Sequence, residues 1–246
     1  MQEPIISIRN LTSGYGDKIV LEDITLDIYP RQITVILGTS GCGKTTLLKH
    51  LIGLLMPAQG SITLFGRELK DLDEKEINQL LQKIGVLFQN GALLASLPLS
   101  ENLAIPYEQH TNLPPALIEH LVRSKLHLVE LDHAYDYLPS ELSGGMRKRA
   151  ALARAIALDP LIFFADEPAA GLDPVTAASL DRLLISLKEK LGMTLVVVTH
   201  EVGSIIRIAS RAVYLHEGRV IFDGSIDEAL KSEIPQVKAF FADSKD

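Results

Sequence analysis

Gly38-Thr39-Ser40-Gly41-Cys42-Gly43-Lys44-Thr45 decides how the rest of this chain is read. The octet has the form G-x-x-x-x-G-K-[ST]. It follows an apolar run, Ile33 to Leu37, that reads as a buried strand. It precedes Leu47, Leu48, Leu51 and Ile52, which are spaced as one face of a helix. A glycine-rich loop between strand and helix lets successive backbone N–H groups turn inward onto oxyanions. Lys44 can then reach the β- and γ-phosphates of a nucleoside triphosphate, and the Thr45 hydroxyl can ligate Mg²⁺.

The chain as a whole bounds what such a loop could serve. Its 246 residues suffice for one large α/β domain, and 47% hydrophobic residues can fill a sizeable core. The formal net charge is −7, so no nucleic-acid partner is expected. Cys42 is the single cysteine, which excludes an internal disulfide and fits a reducing compartment. Met1-Gln2-Glu3-Pro4 has neither the charge nor the apolar run of a secretory signal. No apolar stretch approaches the roughly 20 residues of a membrane helix. A soluble or membrane-peripheral protein is expected.

Upstream of the loop, Ile5 to Leu11 and Ile19 to Tyr29 alternate apolar with polar residues. Leu21, Ile24, Leu26 and Ile28 fit a half-exposed antiparallel sheet. Thr12 to Asp17 reads as a turn with Tyr15 at its tip, either a surface tyrosine or a ring placed to stack on a base. Downstream, Gly60 to Phe65 reads as a strand and Glu74 to Leu81 as a helix. Ile84 to Phe88 reads as a buried strand ending at Gln89. From Asn90 to about Tyr137 the pattern turns helical and loop-like, punctuated by Pro98, Pro106, Pro114 and Pro115. His110, His120, His127 and His133 match no metal spacing and read as surface or boundary residues.

A helix is predicted from Leu142-Ser143-Gly144-Gly145-Met146 to about Leu158, with Ser143 as N-cap. Arg147, Lys148, Arg149 and Arg154 read as its solvated basic face. Leu161 to Ala165 is an apolar strand ending in Asp166-Glu167, two acids that are costly there unless they hold a cation or perform chemistry. Asp173-Pro174 opens a helix. Thr194 to Thr199 is a buried strand ending at His200-Glu201. A hairpin is expected around Gly218, and Ser225 to Glu228 is a capping box opening the last clear helix. The tail is expected to fray beyond Phe241.

The strand ends at Gln89, Asp166-Glu167 and His200 join the phosphate loop along one edge of a parallel sheet. Lys44 and Thr45 would hold a nucleotide with Mg²⁺. Asp166 would contact the metal through water, and Glu167 would polarise the attacking water.

These residues resemble the nucleotide-binding subunit of an ABC transporter. The octet is similar to its Walker A and Leu161 to Asp166 to its Walker B, with Glu167 as catalytic glutamate. Leu142-Ser143-Gly144-Gly145 resembles its signature motif. Gln89 falls at the Q-loop, Gly171-Leu172-Asp173 at the D-loop, His200 at the H-loop and Tyr15 at the base-stacking A-loop. The resemblance implies an α/β P-loop NTPase core of RecA type, with an N-terminal antiparallel β subdomain and a helical subdomain, roughly 90–158, inserted in a single 1–246 domain. It implies ATP and Mg²⁺ as cofactors. ATP would be bound by Tyr15, Gly38, Thr39, Ser40, Gly41, Cys42, Gly43, Lys44, Thr45 and Thr46. Thr45, Gln89 and Asp166 would serve the metal, and Glu167, His200 and Gln89 the reaction. Ser143, Gly144 and Gly145 would complete the site of a second copy, in a head-to-tail dimer.

Within that family, Gln89 to Leu94, Pro139 to Met146 and Ala150 to Leu158 resemble the Mla-type ATPases. Those work with MCE-domain proteins to move phospholipids between the two membranes of Gram-negative bacteria. A permease docking on Asn90 to Asn102 and an MCE-domain partner are then expected, at the cytoplasmic face of the inner membrane, and the resemblance leaves open whether a small regulatory subunit, as some Mla-type systems have, joins them. ATPases of amino-acid and methionine importers share most of these motifs. DNA-repair and translation-type ABC proteins fit less well: only about fifty residues separate Gln89 from Ser143, and one such domain is present. Met146 stands where most of the family has Gln. Cys42 stands where many relatives have Ser or Ala, either as an inert small residue or as a thiol whose pKa the helix N-terminus lowers.

Overall fold

The computed structural model describes residues 3–16 and 18–242. The readings made on Met1, Gln2, Asp17 and the final Ser-Lys-Asp lie outside them. The chain forms two compact units, Met1–Leu81 with Thr194–Asp246, and Gln82–Met193. Antiparallel and parallel strands are both present, as the mixed α/β reading requires.

The first unit opens with β1 (Ile6–Tyr15) and β2 (Lys18–Ile28), an antiparallel pair. Thr12 to Tyr15 therefore belong to a strand and not to the expected turn. Leu21 and Ile24 are three residues apart, which would flip one of them off the buried face of a regular strand. Register shifts absorb the extra residue, with Asp23 and Asn10 in left-handed conformations. The Asp23 amide donates to Thr12 Oγ1 at 3.1 Å, and Asn10 Nδ2 donates to Asp23 Oδ1 at 2.8 Å. Ile6, Ile8, Leu11, Leu21, Ile24, Leu26 and Ile28 all end up buried. β4 (Gln59–Leu64) pairs with the other side of β1, and the two-residue β5 (Arg67–Glu68) closes that sheet.

β3 (Ile33–Leu37) is buried at every position, as an apolar run between two parallel neighbours should be. Those neighbours are β8 (Thr194–Val198) and β9 (Arg211–His216), and β10 (Arg219–Ser225) pairs antiparallel with β9. The hairpin turns on Glu217 and Gly218, both at positive φ. α1 (Lys44–Leu51) buries Leu47, Leu48 and Leu51. Each fully buried leucine contributes about 2 kcal/mol. α2 (Glu74–Leu81) and α7 (Val202–Ile208) complete the unit, with α8 (Ile226–Leu230) and α9 (Pro235–Ala242) at its end. The Ser225 capping box opens α8, but α8 is not the last helix. α9 places Val237 and Phe241, one turn apart, in the core.

In the second unit, β6 (Ile84–Leu87) and β7 (Ile162–Asp166) pair in parallel, Ile84 opposite Ile162 and Leu87 opposite Ala165. β6 alternates between buried and half-buried positions, and Phe88 is exposed, so this strand is less enclosed than its composition suggested. Between the two strands come α3 (Leu99–His110), α4 (Pro115–Leu128) and α5 (Gly144–Ala155), and α6 (Pro174–Leu191) follows β7. Pro98 and Pro114 stand at helix starts, but Pro106 sits inside α3, where it removes one backbone donor without ending the helix. His110, His120, His127 and His133 are exposed.

Candidate active site

The first unit carries the phosphate loop at the carboxyl end of β3. A Cβ at Gly38 would lie 2.1 Å from the Leu215 carbonyl oxygen, so the loop backs directly onto β9. The hairpin tip fastens it further. The Gly218 amide donates to the Cys42 carbonyl at 3.1 Å, and the Gly218 carbonyl accepts from the Glu22 amide at 2.9 Å. Gly43, at φ +110, occupies the N-cap of α1 and supplies no side-chain cap. The first-turn amides, which a Ser or Asp would ordinarily satisfy, are left for an outside anion. No acid occupies that turn. Lys44 Nζ donates to the carbonyls of Gly38 at 2.8 Å and Thr39 at 2.9 Å, which holds the ammonium over the loop. Thr39, Ser40, Gly41 and Thr45 are exposed, and Thr46 is buried. Open amides, one held cation and no competing carboxylate fit a polyphosphate.

Cys42 is buried, and burial pushes its thiol up while Lys44 opposes the shift. The helix N-terminus therefore does not produce the lowered pKa it could have given. Tyr15, the last residue of β1, exposes half of its surface. Its hydroxyl is held by Thr46, which lowers its pKa, and by Lys49 Nζ at 3.4 Å. The ring thus stands against the helix that leaves the phosphate loop. His200 follows β8, and β8 runs parallel beside β3, so His200 and the loop emerge at the same sheet edge. Its side chain is 62% exposed, with Nε2 3.9 Å from Glu201 Oε1.

The second unit brings Gln89, Asp166 and Glu167 to one edge, because β6 and β7 are parallel neighbours. Gln89 is exposed, and the two acids are half-buried. Glu167 has φ +45, a conformation that costs a non-glycine residue about 1 kcal/mol. Its carbonyl accepts from the Ala170 amide at 3.1 Å. Ser143 caps α5, its Oγ accepting from the Met146 amide at 3.2 Å. α5 ends at Ala155, earlier than expected, because Ile156 leaves the helical conformation. A Cβ at Gly145 would lie 2.7 Å from Thr176 Cγ2 of α6, so close packing accounts for this glycine. Asp173 caps α6, accepting from the amides of Val175 and Thr176 at 3.0 Å each. The Thr176 contacts hold its carboxyl below the usual range. A cleft of about 670 Å³ is lined by Gln89, Gly91, Gly144, Lys148 and Gly171 among others.

Of the four basic side chains of α5 expected to form a solvated face, Arg147 is exposed and the other three are drawn inward. Lys148 is buried at 9% exposure and donates to the Gln89 carbonyl at 2.6 Å and the Glu167 carbonyl at 3.4 Å. Burial lowers its pKa, and the carboxylates of Glu167 and Asp166 oppose that. Arg154 donates to the Ala92 carbonyl at 2.5 Å. Arg149 binds the Val129 carbonyl, Glu130 and Ser179. The sequence held a signal for Lys148: it shares an i, i+3, i+4 face with buried Ala151 and Leu152. Asn102 was also missed. It is fully buried, and its amide meets Leu94 N and the carbonyls of Leu94, Leu97 and Pro98, which sets the shape of the segment before α3. An isolated Asn in a helical pattern gives no such warning.

A family model described as "ABC transporter" matches residues 21–170. The MlaF intermembrane phospholipid transport ATP-binding protein of Haemophilus influenzae is 40% identical over all 246 residues, covering 93% of that protein. A probable ribonucleotide transport ATP-binding protein, mkl, of Mycobacterium leprae is 40% identical over 235 residues, 96% of this chain and 68% of that one. Among solved structures, cbiO1 from Clostridium perfringens aligns with a TM-score of 0.87 at 28% identity, over 94% of this chain and 92% of that one. The dimeric bacterial ABC transporter cassette MJ0796 aligns at 0.81 and 31% identity, over 90% and 98%. No helix among the described residues is long and apolar enough to cross a membrane. With the family match over more than half of the chain, and with the phosphate loop, the Ser143-capped α5 and the acidic end of β7 each formed, the chain belongs to the ATP-binding, ATP-hydrolysing subunits of the ABC transporter family.

Proposed function

We propose that this ATPase drives a separate membrane permease that moves phospholipid between bacterial membranes. The observation that carries the cargo is the reach of the likeness to MlaF. It spans the whole chain and 93% of MlaF, against 68% of mkl, whereas the ATP motifs alone are common to cassettes of every cargo. The chain acts as one 1–246 domain with the 90–158 helical segment inserted. In it, the amides of the first turn of α1 and Lys44 hold the phosphates, and Tyr15 stacks on the base. Thr45, Gln89 and Asp166 would hold Mg²⁺. Bound there, Mg²⁺ supplies charge neutralisation at the transferring phosphoryl group. Glu167 takes a proton from the attacking water, and His200 orients it.

Ser143, Gly144 and Gly145 serve the site of a second copy, because they stand in the helical segment and offer a helix N-terminus to a γ-phosphate. Two copies pair head-to-tail around two nucleotides, a reading supported by the dimeric cassettes that share this fold. ATP drives the permease only by binding the closed dimer more tightly than the open one. The permease docks on Asn90 to Asn102, a segment held by Asn102 and Arg154, with Lys148 on the Gln89 carbonyl just before it. An MCE-domain protein joins the assembly, and this chain sits at the cytoplasmic face of the inner membrane. The likeness to mkl favours one second reading, transport of a ribonucleotide. Purification of the tagged chain from membranes, with identification of the co-purified chains, tests both. An MCE-domain protein with a permease that retains phospholipid is expected. A solute receptor in its place would overturn the lipid reading.

A further inference from the structure

We propose that Lys148 is a positioning residue for hydrolysis: its ammonium locks the main chain at Gln89 and Glu167 together and ties both to the helix that opens at Ser143. The inference rests on the proposed roles of Gln89 and Glu167. A buried ammonium costs several kcal/mol of desolvation. A residue needed only to fill space on this face would be apolar, like its neighbours Ala151 and Leu152. Instead the side chain reaches two carbonyls, one just beyond the end of β6 and one just beyond the end of β7. Both follow parallel, adjacent strands, so a single ammonium fixes the spacing of the two chain ends where the functional side chains begin.

Glu167 gains most from that tie. Its left-handed backbone persists only when its surroundings over-determine it. The Ala170 amide is one constraint on the Glu167 carbonyl, and Lys148 is a second, from another element. Without Lys148 the peptide after Glu167 loses one anchor, and the carboxylate on the same residue turns with it. The same ammonium carries displacement of α5 to Gln89 and Glu167. In a head-to-tail pair, engagement of Ser143 by one nucleotide is thereby felt at the hydrolytic residues of the other.

The test is Lys148→Met, which keeps the length and apolarity of the side chain and removes every donor. In the purified full-length chain, kcat for MgATP hydrolysis should fall about ten- to a hundredfold, as misplacement of a catalytic group by about 1 Å does. KM and the equilibrium affinity for MgATP should hold, and cooperativity in ATP should decline. Lys148→Arg, which restores a charged donor, should recover part of kcat. Thermal unfolding should show at most a small loss of stability in Lys148→Met, since relief of the buried charge offsets the partner lost at the two carbonyls. An unchanged kcat overturns the inference. So does a fall in kcat matched by loss of MgATP affinity, or an arginine variant no better than methionine. If Lys148→Met does not fold, Lys148→Gln decides by the same kcat and KM comparison. A wild-type chain without ATPase activity would sink the functional reading itself. An active wild type with a normal methionine variant sinks only the role of Lys148.

Discussion

Two helices in this protein begin in opposite ways. α1 starts on Gly43, which has no side chain to cap it, and its first turn holds no acid. α5 starts on Ser143, whose oxygen is already committed to the Met146 amide. The first is a receptor of main-chain donors backed by one cation, Lys44. The second has spent a lone pair on its own stability and keeps the hydroxyl proton and two glycine amides to offer. The glycines differ as well. Gly38 backs onto a main-chain oxygen, which cannot yield, whereas Gly145 backs onto the methyl of Thr176, which can be removed. An anion site made only of backbone tolerates no substitution at its floor. One built beside a side chain can be repaired from the other partner.

The contrast breaks first at Lys44. Lys44→Ala should weaken MgATP binding about ten- to a hundredfold, from the loss of a charge-assisted bond of about 1.5–3 kcal/mol. Calorimetric titration showing unchanged affinity would mean that the amides of α1 alone define the site. Next is Gly145→Ala. Its Cβ meets Thr176 Cγ2, and overpacking of this kind costs about 1–3 kcal/mol in urea unfolding. Adding Thr176→Ser should return most of that stability. A double variant as unstable as the single one would show that the glycine is needed for its backbone instead. The smallest effect is expected from Ser143→Ala, with about 1 kcal/mol lost with the cap and a Tm lower by about 2–4 °C. MgATP affinity of the monomeric chain should not move. A fall as large as that of Lys44→Ala would mean that the two helix starts are not separate devices.

Much of this could be read from the sequence, for identifiable reasons. β3, β7 and β8 are short apolar runs with no competing interpretation once a glycine-rich loop or an acid closes them. Asp173-Pro174 and Ser225 to Glu228 carry their caps in local chemistry. What escaped depends on tertiary partners. Four charges on α5 look alike in sequence, yet Lys148 and Arg154 are withdrawn into contacts with carbonyls some sixty positions earlier. The bulge at Asp23 arises from the pairing of two strands and not from either one. α9 went unread because Val237 and Phe241 are only two apolar positions among several, and burial, not periodicity, distinguishes them. The thiol of Cys42 illustrates competing effects: the helix N-terminus would lower its pKa, and desolvation outweighs it.

The hairpin that fastens the phosphate loop also sets an order of events during synthesis. The loop is complete once residue 45 exists, but both strands beside β3 and the Gly218 amide that grips Cys42 lie in the last fifth or so of the chain. A nascent chain that stops after α6 contains every residue of the loop and, of its surroundings, β2 beside Gly43 but neither strand that flanks β3. Nucleotide affinity should therefore arrive late, when β9 and its hairpin emerge. An unfinished or truncated copy would not sequester ATP before its last hydrolytic residue, His200, is in place.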